Sequence, residues 1–187
     1  MRLQKRTFLL ILIAITIITC KKEPSPPSVI MPLQSGNQWI YKTISYTIDS
    51  TDTVFGKDTL AVSPDKFLNR NIWFKANEAV DYANEASGLW EKIRGDEHLY
   101  LKYPAVKGDE YYIIPAATTV RILSTDTEIT VPAGKFKTYA YEFYSRYPYQ
   151  NYLWATPDVG IVMTEFIVRY IGHHIEKEEL SSYHLNK

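Results

Sequence analysis

Glu142 is the first residue in this chain that could do chemistry. It stands between Tyr141 and Phe143. On a strand it shares a face with Ala140 and Tyr144, where burial would raise its pKa and suit it to general acid–base work. The competing reading is an ion pair with Arg146 at i+2, or with Lys135 or Lys137, because glutamate is rarely buried without a partner. The four histidines are His98, His173, His174 and His184. His173 and His174 point to opposite faces of a strand, and His174 with Glu176 supplies two ligands where zinc needs three or four. Asp109-Glu110 and Glu178-Glu179 diverge in the same way. The chain has no Gly-x-Ser-x-Gly elbow and no glycine-rich loop ahead of a helix. No metal, cofactor or catalytic residue is expected. An enzyme would need a cleft that joins Glu142 to a histidine.

Binding is the stronger expectation. The chain has 15 Tyr, 7 Phe and 4 Trp. Trp39, Tyr41, Tyr139, Tyr141, Tyr152 and Trp154 offer stacking faces for a sugar, or walls for an apolar pocket. The alternative role for the same six residues is core packing.

The lone cysteine, Cys20, marks the other candidate. A basic head (Arg2, Lys5, Arg6) precedes an apolar run from Phe8 to Ile18, and Thr19-Cys20 closes it. Eleven residues are too few to cross a bilayer as a helix, which takes about 20. A run of that length behind a positive head is the signal-peptide pattern. Residues 1–19 are therefore expected to be a cleaved leader, and Cys20 the site of lipidation. Acyl chains of the palmitate class on its thiol and amine would anchor firmly, since a single chain binds only marginally. Residues 20–32 carry Pro24, Pro26, Pro27 and Pro32, and they read as a stiff, extended tether. Residues 33–187 are long enough for one domain with a sizeable core.

Charge excludes one class of partner. Three of the 21 basic residues lie in the leader, which leaves 18 against 21 acidic residues, a net of −3. Nucleic-acid binding needs a clustered basic face.

The elements that position these residues read as strands. Gln38 to Ile48 alternates, with Trp39, Tyr41 and Thr43 on one face and Ile40, Ile44 and Tyr46 on the other. Thr53 to Val62 reads as a strand broken at Gly56-Lys57-Asp58. Ser63-Pro64-Asp65 can cap a short helical turn through Leu68. Val80–Tyr82 and Leu89–Ile93 flank a loop at Asn84–Gly88, and Gly95-Asp96 turns into His98–Tyr103. Residues 119–131 and 135–147 form a hairpin about Pro132-Ala133-Gly134. Short strands follow at Tyr152–Ala155, Val159–Ile171 and His173–Leu185. The charges at Glu176 to Glu179 on the last of these suit a sheet edge. About ten antiparallel strands imply an all-β fold, a strongly curved sheet or partly open barrel, with one short helix at most.

One short echo stands out. Met31-Pro32-Leu33-Gln34-Ser35-Gly36-Asn37-Gln38-Trp39 aligns without gaps on Tyr103-Pro104-Ala105-Val106-Lys107-Gly108-Asp109-Glu110-Tyr111. Two loop-to-strand entries built on the same turn chemistry explain it, and a pseudo-symmetric sheet is the alternative.

Several of these pieces resemble one family. Thr19-Cys20 resembles a lipobox, although Thr replaces the usual Gly, Ala or Ser. Pro32-Leu33 with Gly36-Asn37-Gln38-Trp39, Val131-Pro132-Ala133-Gly134-Lys135-Phe136, and Tyr152 and Trp154 with Val159-Gly160-Ile161-Val162 are similar to uncharacterised bacterial lipoproteins of the Bacteroidetes type. The resemblance implies an exported β-domain in the outer membrane, facing the periplasm or the surface, and it brings no catalytic residues. The expected function is non-enzymatic binding of a small apolar or glycan ligand, or of an envelope protein. The rival is a structural subunit that assembles through a strand edge or surface patch.

Overall fold

The computed structural model describes residues 28–47, 53–61, 67–68, 71–75, 80–114, 116–145, 149–168 and 174–186. The leader, Cys20 and most of the proline-rich segment lie outside these residues, as do Ser63-Pro64-Asp65, Arg146 and His173. Among the described residues fourteen strands follow one another: β1 Gln38–Thr47, β2 Thr53–Ala61, β3 Phe67–Leu68, β4 Asn71–Ile72, β5 Phe74–Lys75, β6 Val80–Glu85, β7 Gly88–Ile93, β8 Asp96–Lys102, β9 Glu110–Ile113, β10 Thr118–Val131, β11 Gly134–Ser145, β12 Tyr149–Thr156, β13 Gly160–Val168 and β14 His174–His184. Three of them are two-residue pieces. No helix occurs among the described residues, and Phe67–Leu68, where a helical turn was expected to end, is strand.

The large sheet has the order β2-β1-β14-β13-β12-β11-β10-β9, and a smaller one has β5-β6-β7-β8. Every pairing is antiparallel. The large sheet stays open, with β2 and β9 as its edges. It is strongly curved all the same. Register shifts interrupt β1 at Ile40/Tyr41, β10 at Ile122/Ser124 and Ser124/Thr127, and β12 at Trp154/Ala155. Each bulge bends its strand and adds twist. The curl brings the β10–β11 hairpin onto β14, where Ala133 N donates to Leu180 O at 3.0 Å and the Phe136 and Tyr183 rings lie 6.3 Å apart.

The small sheet packs on the large one. Leu89 and Leu101 from the former meet Val120, Ile122, Tyr141, Leu153 and Leu180 from the latter in one core cluster. Tyrosine hydroxyls stitch the two together along the outer side of β8, the edge of the small sheet. Tyr111 Oη donates to Tyr100 O at 2.5 Å and accepts from Lys102 N at 3.3 Å, and Tyr141 Oη donates to Lys102 O at 2.9 Å. An edge strand's free backbone groups are thereby satisfied without a further strand. Close approach also dictates Gly88. A Cβ there would sit 2.1 Å from Leu101 O, and its φ is +136°.

Several sequence expectations need correction. The charged strand β14 is central, between β1 and β13, and not an edge. Its charges are tolerated there by local pairing: Lys177 Nζ meets Glu179 Oε1 at 2.6 Å, and Thr164 Oγ1 donates to Glu178 Oε2 at 3.3 Å. Strand β2 runs through Gly56-Lys57-Asp58 without a break, in continuous register with β1. The loop expected at Asn84–Gly88 shrinks to Ala86-Ser87, because Asn84 and Glu85 pair with Leu89 and Gly88. Packing begins upstream of residue 33. Ile30 and Met31 are 1% and 0% exposed, so part of the segment read as tether is a strap built into the core.

The echo resolves into one turn used twice. Asn37 N donates to Gln34 O and Asp109 N to Val106 O, at 3.0 and 3.1 Å. Gly36 and Gly108 have φ of +87° and +91°. Gln38 opens β1 and Glu110 opens β9. The two strands lie near opposite edges of the sheet, and no wider symmetry follows.

Candidate functional site: a cleft between the two sheets

The two ends of the sandwich are built differently. At one end lie the β6–β7 turn, the β12–β13 turn and the strap. Asp158 grips the strap there: Ser28 Oγ donates to Asp158 Oδ2 at 2.8 Å, and Val29 N to Asp158 Oδ1 at 3.2 Å. Asp158 N donates to Val29 O at 2.7 Å. Asn84 Nδ2 donates to Met31 O at 2.9 Å, and Trp39 Nε1 to Val159 O at 2.6 Å. A small cavity of about 370 Å³ remains, walled partly by the strap itself.

At the other end, the β7–β8 and β9–β10 turns frame a larger cleft of about 510 Å³. Ile93, Ile113 and Phe143 supply its apolar walls, and Glu91, His98 and Asn151 its polar ones. Arg94, Asp96 and Ala116 are exposed and form its rim. Strand alternation selects these side chains. Glu91 and His98 face each other across the β7–β8 hairpin, and Phe143 faces Asn151 across β11 and β12.

Glu91 and His98 form a buried pair, with His98 Nε2 3.0 Å from Glu91 Oε2 and side-chain exposures of 11% and 10%. Burial pushes the Glu91 carboxyl upward, and the opposing pull of His98 and of a hydrogen bond from Tyr82 Oη does not cancel it. Burial pushes the Tyr82 and Tyr100 hydroxyls far up; Tyr100 and Glu91 add to the rise at Tyr82, and Glu91 and Tyr111 add to it at Tyr100. Both remain neutral donors at any physiological pH. The rings of Tyr82 and Tyr100 stack 6.0 Å apart, and Tyr100 meets Phe143 at 5.6 Å.

Two buried side-chain polar atoms among the described residues have no hydrogen-bond partner: His98 Nδ1 and Asn151 Oδ1. Both belong to residues that line this cleft. Such atoms are uncommon, because each costs about 1–3 kcal/mol. The turns around the cleft also hold backbone strain. Arg94 and Ala117 have φ of +53° and +46°, two of the three such non-glycine residues among those described. Strain of this kind costs roughly 1–2 kcal/mol and gathers at functional sites.

The residues singled out from sequence lie elsewhere. Trp39, Tyr41 and Tyr141 are buried in the core, and their polar atoms are committed to the carbonyls of Val159, Ile161 and Lys102. Tyr139 is half-buried, with its ring edge-on to Tyr103 at 5.4 Å. Tyr152 and Trp154 pair at 6.0 Å on the face of β12 opposite Asn151 and Leu153. None of the six lines the cleft. Glu142 takes neither Lys135 nor Lys137. It accepts from Gln150 Nε2 at 2.7 Å and lies 3.8 Å from Arg121 Nη1. Arg121 reaches it because the two are register partners, whereas Lys135 pairs with Glu128. His174 bonds Ser45 Oγ at 3.2 Å. Among the described residues, no group of three or more His, Cys, Asp or Glu side chains could hold a metal ion.

The sequence does carry a signal for the Glu91–His98 pair. It is hidden by one turn assignment. With the turn at Arg94-Gly95 and not Gly95-Asp96, Ile93 faces Asp96 and Glu91 faces His98. A one-residue slip turns every side chain to the other face.

The chain matches no protein-family model, and no curated protein matches it. Two solved structures are similar in trace. One is a protein from Bacteroides fragilis assigned as exported, with a YmcC-like fold, at 14% identity and a TM-score of 0.47, covering 85% of this chain and 100% of its own. The other, from Parabacteroides distasonis, is assigned as a lipoprotein, at 16% identity and a TM-score of 0.45, covering 86% of this chain and 100% of its own. Both scores fall below 0.5, so the two similarities support no functional reading of this chain.

Proposed function

We propose that this chain is a lipid-anchored protein of the bacterial outer membrane, held through Cys20, whose β-domain binds a small ligand in the cleft between its sheets. The ligand reading rests on one observation: His98 Nδ1 and Asn151 Oδ1, both buried and unpaired, belong to the walls of one cleft beside a buried carboxylate. A folded protein tolerates such atoms where a ligand supplies the missing partners. The anchor reading rests on the only cysteine standing where a short apolar run ends. In this reading the Glu91–His98 pair, beside Thr118 and Tyr100 in the lining, holds the ligand and does not turn it over.

The test uses the full chain purified from a bacterial envelope, with native mass spectrometry of wild type and Ala116→Trp, which fills the cleft. Wild type should carry a bound small molecule that the variant lacks. Equal mass additions on both proteins, or none on either, would reject ligand binding at this site. For the anchor, Cys20→Ser should move the protein out of the membrane fraction and abolish palmitate labelling.

A second reading has an observation of its own. Both edges of the large sheet carry exposed apolar side chains, with Val54 and Phe55 on β2 and Tyr112 and Ile114 on or beside β9. Exposed edges of this kind can join strands between copies. If assembly is the function, sedimentation will show a concentration-dependent oligomer that Phe55→Lys disperses.

A further inference from the structure

Resting on the reading of Cys20 as anchor and of the cleft as ligand site, we propose that the cleft loads from the aqueous side. It takes a water-soluble ligand with polar groups, not acyl lipid drawn from the anchoring bilayer.

The first argument is the position of the two ends. The strap fixes where the tether leaves the domain, since Ile30 and Met31 are fully buried and Ser28 and Val29 are bonded to Asp158. That exit lies beside the β12–β13 turn and the start of β7. The cleft lies at the end of β7, and Asn151 near the start of β12. The turn at Ala86-Ser87 and the rim turn at Arg94-Gly95 stand at opposite ends of β7. Seven residue steps separate Ser87 from Arg94, about 23 Å at roughly 3.3 Å per residue.

Tether length then favours one orientation. Eight steps separate Cys20 from Ser28. They span about 28 Å at the very most, and about 25 Å as polyproline. To lay the cleft rim on the membrane, the tether would have to run back about 23 Å along β7, which takes nearly all of its reach. A tether that instead leaves the strap end toward the bilayer carries no such constraint, and it holds the rim farthest from the lipid.

The second argument is the lining. An acyl chain filling the cleft would lay hydrocarbon against the Glu91–His98 pair and leave His98 Nδ1 and Asn151 Oδ1 without partners. A ligand carrying hydroxyl, amide or amine groups on a partly apolar body satisfies them, and Phe143, Ile113 and Ile93 cover the apolar part.

The experiment uses the full acylated chain in phosphatidylethanolamine/phosphatidylglycerol vesicles that contain a nickel-chelating lipid. Spin labels are placed singly at Ala86→Cys and Asp96→Cys, both exposed positions, with the Cys20 thiol blocked by its acyl group. Relaxation enhancement by surface nickel should be several-fold stronger at residue 86 than at residue 96. Equal or reversed enhancement overturns the orientation. Oleate is the probe for the lipid alternative. Saturable oleate binding that Ala116→Trp abolishes would overturn the ligand class, and oleate binding that is absent or insensitive to the variant agrees with it. Fractionation of Cys20→Ser separates the failures. If that variant stays in the membrane, the anchor reading itself is lost. If it is released and the labels come out reversed, only the orientation is wrong.

Discussion

The strap end and the cleft end of this sandwich use the same kinds of residue to opposite effect. At the strap end, Asn37 is 1% exposed and fully employed: its Nδ2 donates to Pro32 O at 2.7 Å, and its Oδ1 accepts from Asn186 N at 2.7 Å. At the cleft end, Asn151 buries an oxygen that accepts no hydrogen bond. Tryptophan and tyrosine at the strap end spend their polar atoms on backbone carbonyls, whereas His98 spends one ring nitrogen and leaves the other unpaired. Polar groups inside a core are costly either way, and what distinguishes structure from function is whether the protein itself satisfies them. The strap end is finished within the chain. The cleft end leaves two buried polar atoms open.

This contrast can be broken by mutation. The largest effect is expected at the strap end. Trp39→Ala should cost about 3–5 kcal/mol in chemical denaturation, since it empties a fully buried site under Met31 and Val159. A loss below ~1 kcal/mol would mean that the strap contributes little.

The two asparagines give the sharpest comparison. Asn37→Ala should cost about 2 kcal/mol, because it strands Asn186 N and removes one of the two donors to Pro32 O. Asn151→Ala should change stability by no more than about 0.5 kcal/mol, or raise it, because it removes an atom with no partner. Equal losses at both positions would erase the distinction between the ends.

Glu91 adds a dependence on pH. Its carboxyl is raised above the ordinary value of 4.5 in the folded state, so the folded protein holds this proton more tightly than the unfolded chain does. The stability it contributes is full below pH 4.5 and is lost as pH rises through the folded value. In Glu91→Gln that decline should vanish from urea midpoints followed upward from pH 4.5. Glu178 is raised in the same direction by burial, but it is present in both proteins and cancels in the difference. A midpoint difference that does not change with pH would contradict the burial assigned to Glu91.

A small gain is expected at the rim. Arg94 occupies a left-handed position that asparagine accepts more readily. Arg94→Asn should therefore raise thermal stability, by about 0.5–1 kcal/mol. No gain would mean that the Arg94 side chain repays its backbone strain.

The legibility of the sequence divides along the same line. Turn chemistry was readable. Val131-Pro132-Ala133-Gly134 makes the predicted hairpin, with Val131 opposite Gly134. The echo at Gly36-Asn37 and Gly108-Asp109 makes the same turn twice. The all-β class and curved sheet followed from alternation and strand count, which are local properties. Strand order is not local. Nothing in Glu176 to Glu179 says that β14 inserts between β13 and β1, so the charges read as those of an edge. The site was hidden for a related reason. Glu91 and His98 meet only through the register of a hairpin, and the cleft forms only where that hairpin lies over β9 to β12. The aromatics at 39, 41 and 141 looked like a binding face because tyrosine and tryptophan serve cores and ligands equally well, and only their hydrogen-bond partners tell the two apart.

The most direct test of the cleft as ligand site is an amide chemical-shift map of the isotope-labelled protein titrated with a small-molecule extract of a bacterial envelope fraction. Shifts should concentrate at Glu91, Ile93, His98, Ile113, Thr118 and Asn151, and leave Ile30, Trp39 and Asn84 still. Shifts confined to the strap end, or spread evenly over the sheet, would contradict the account.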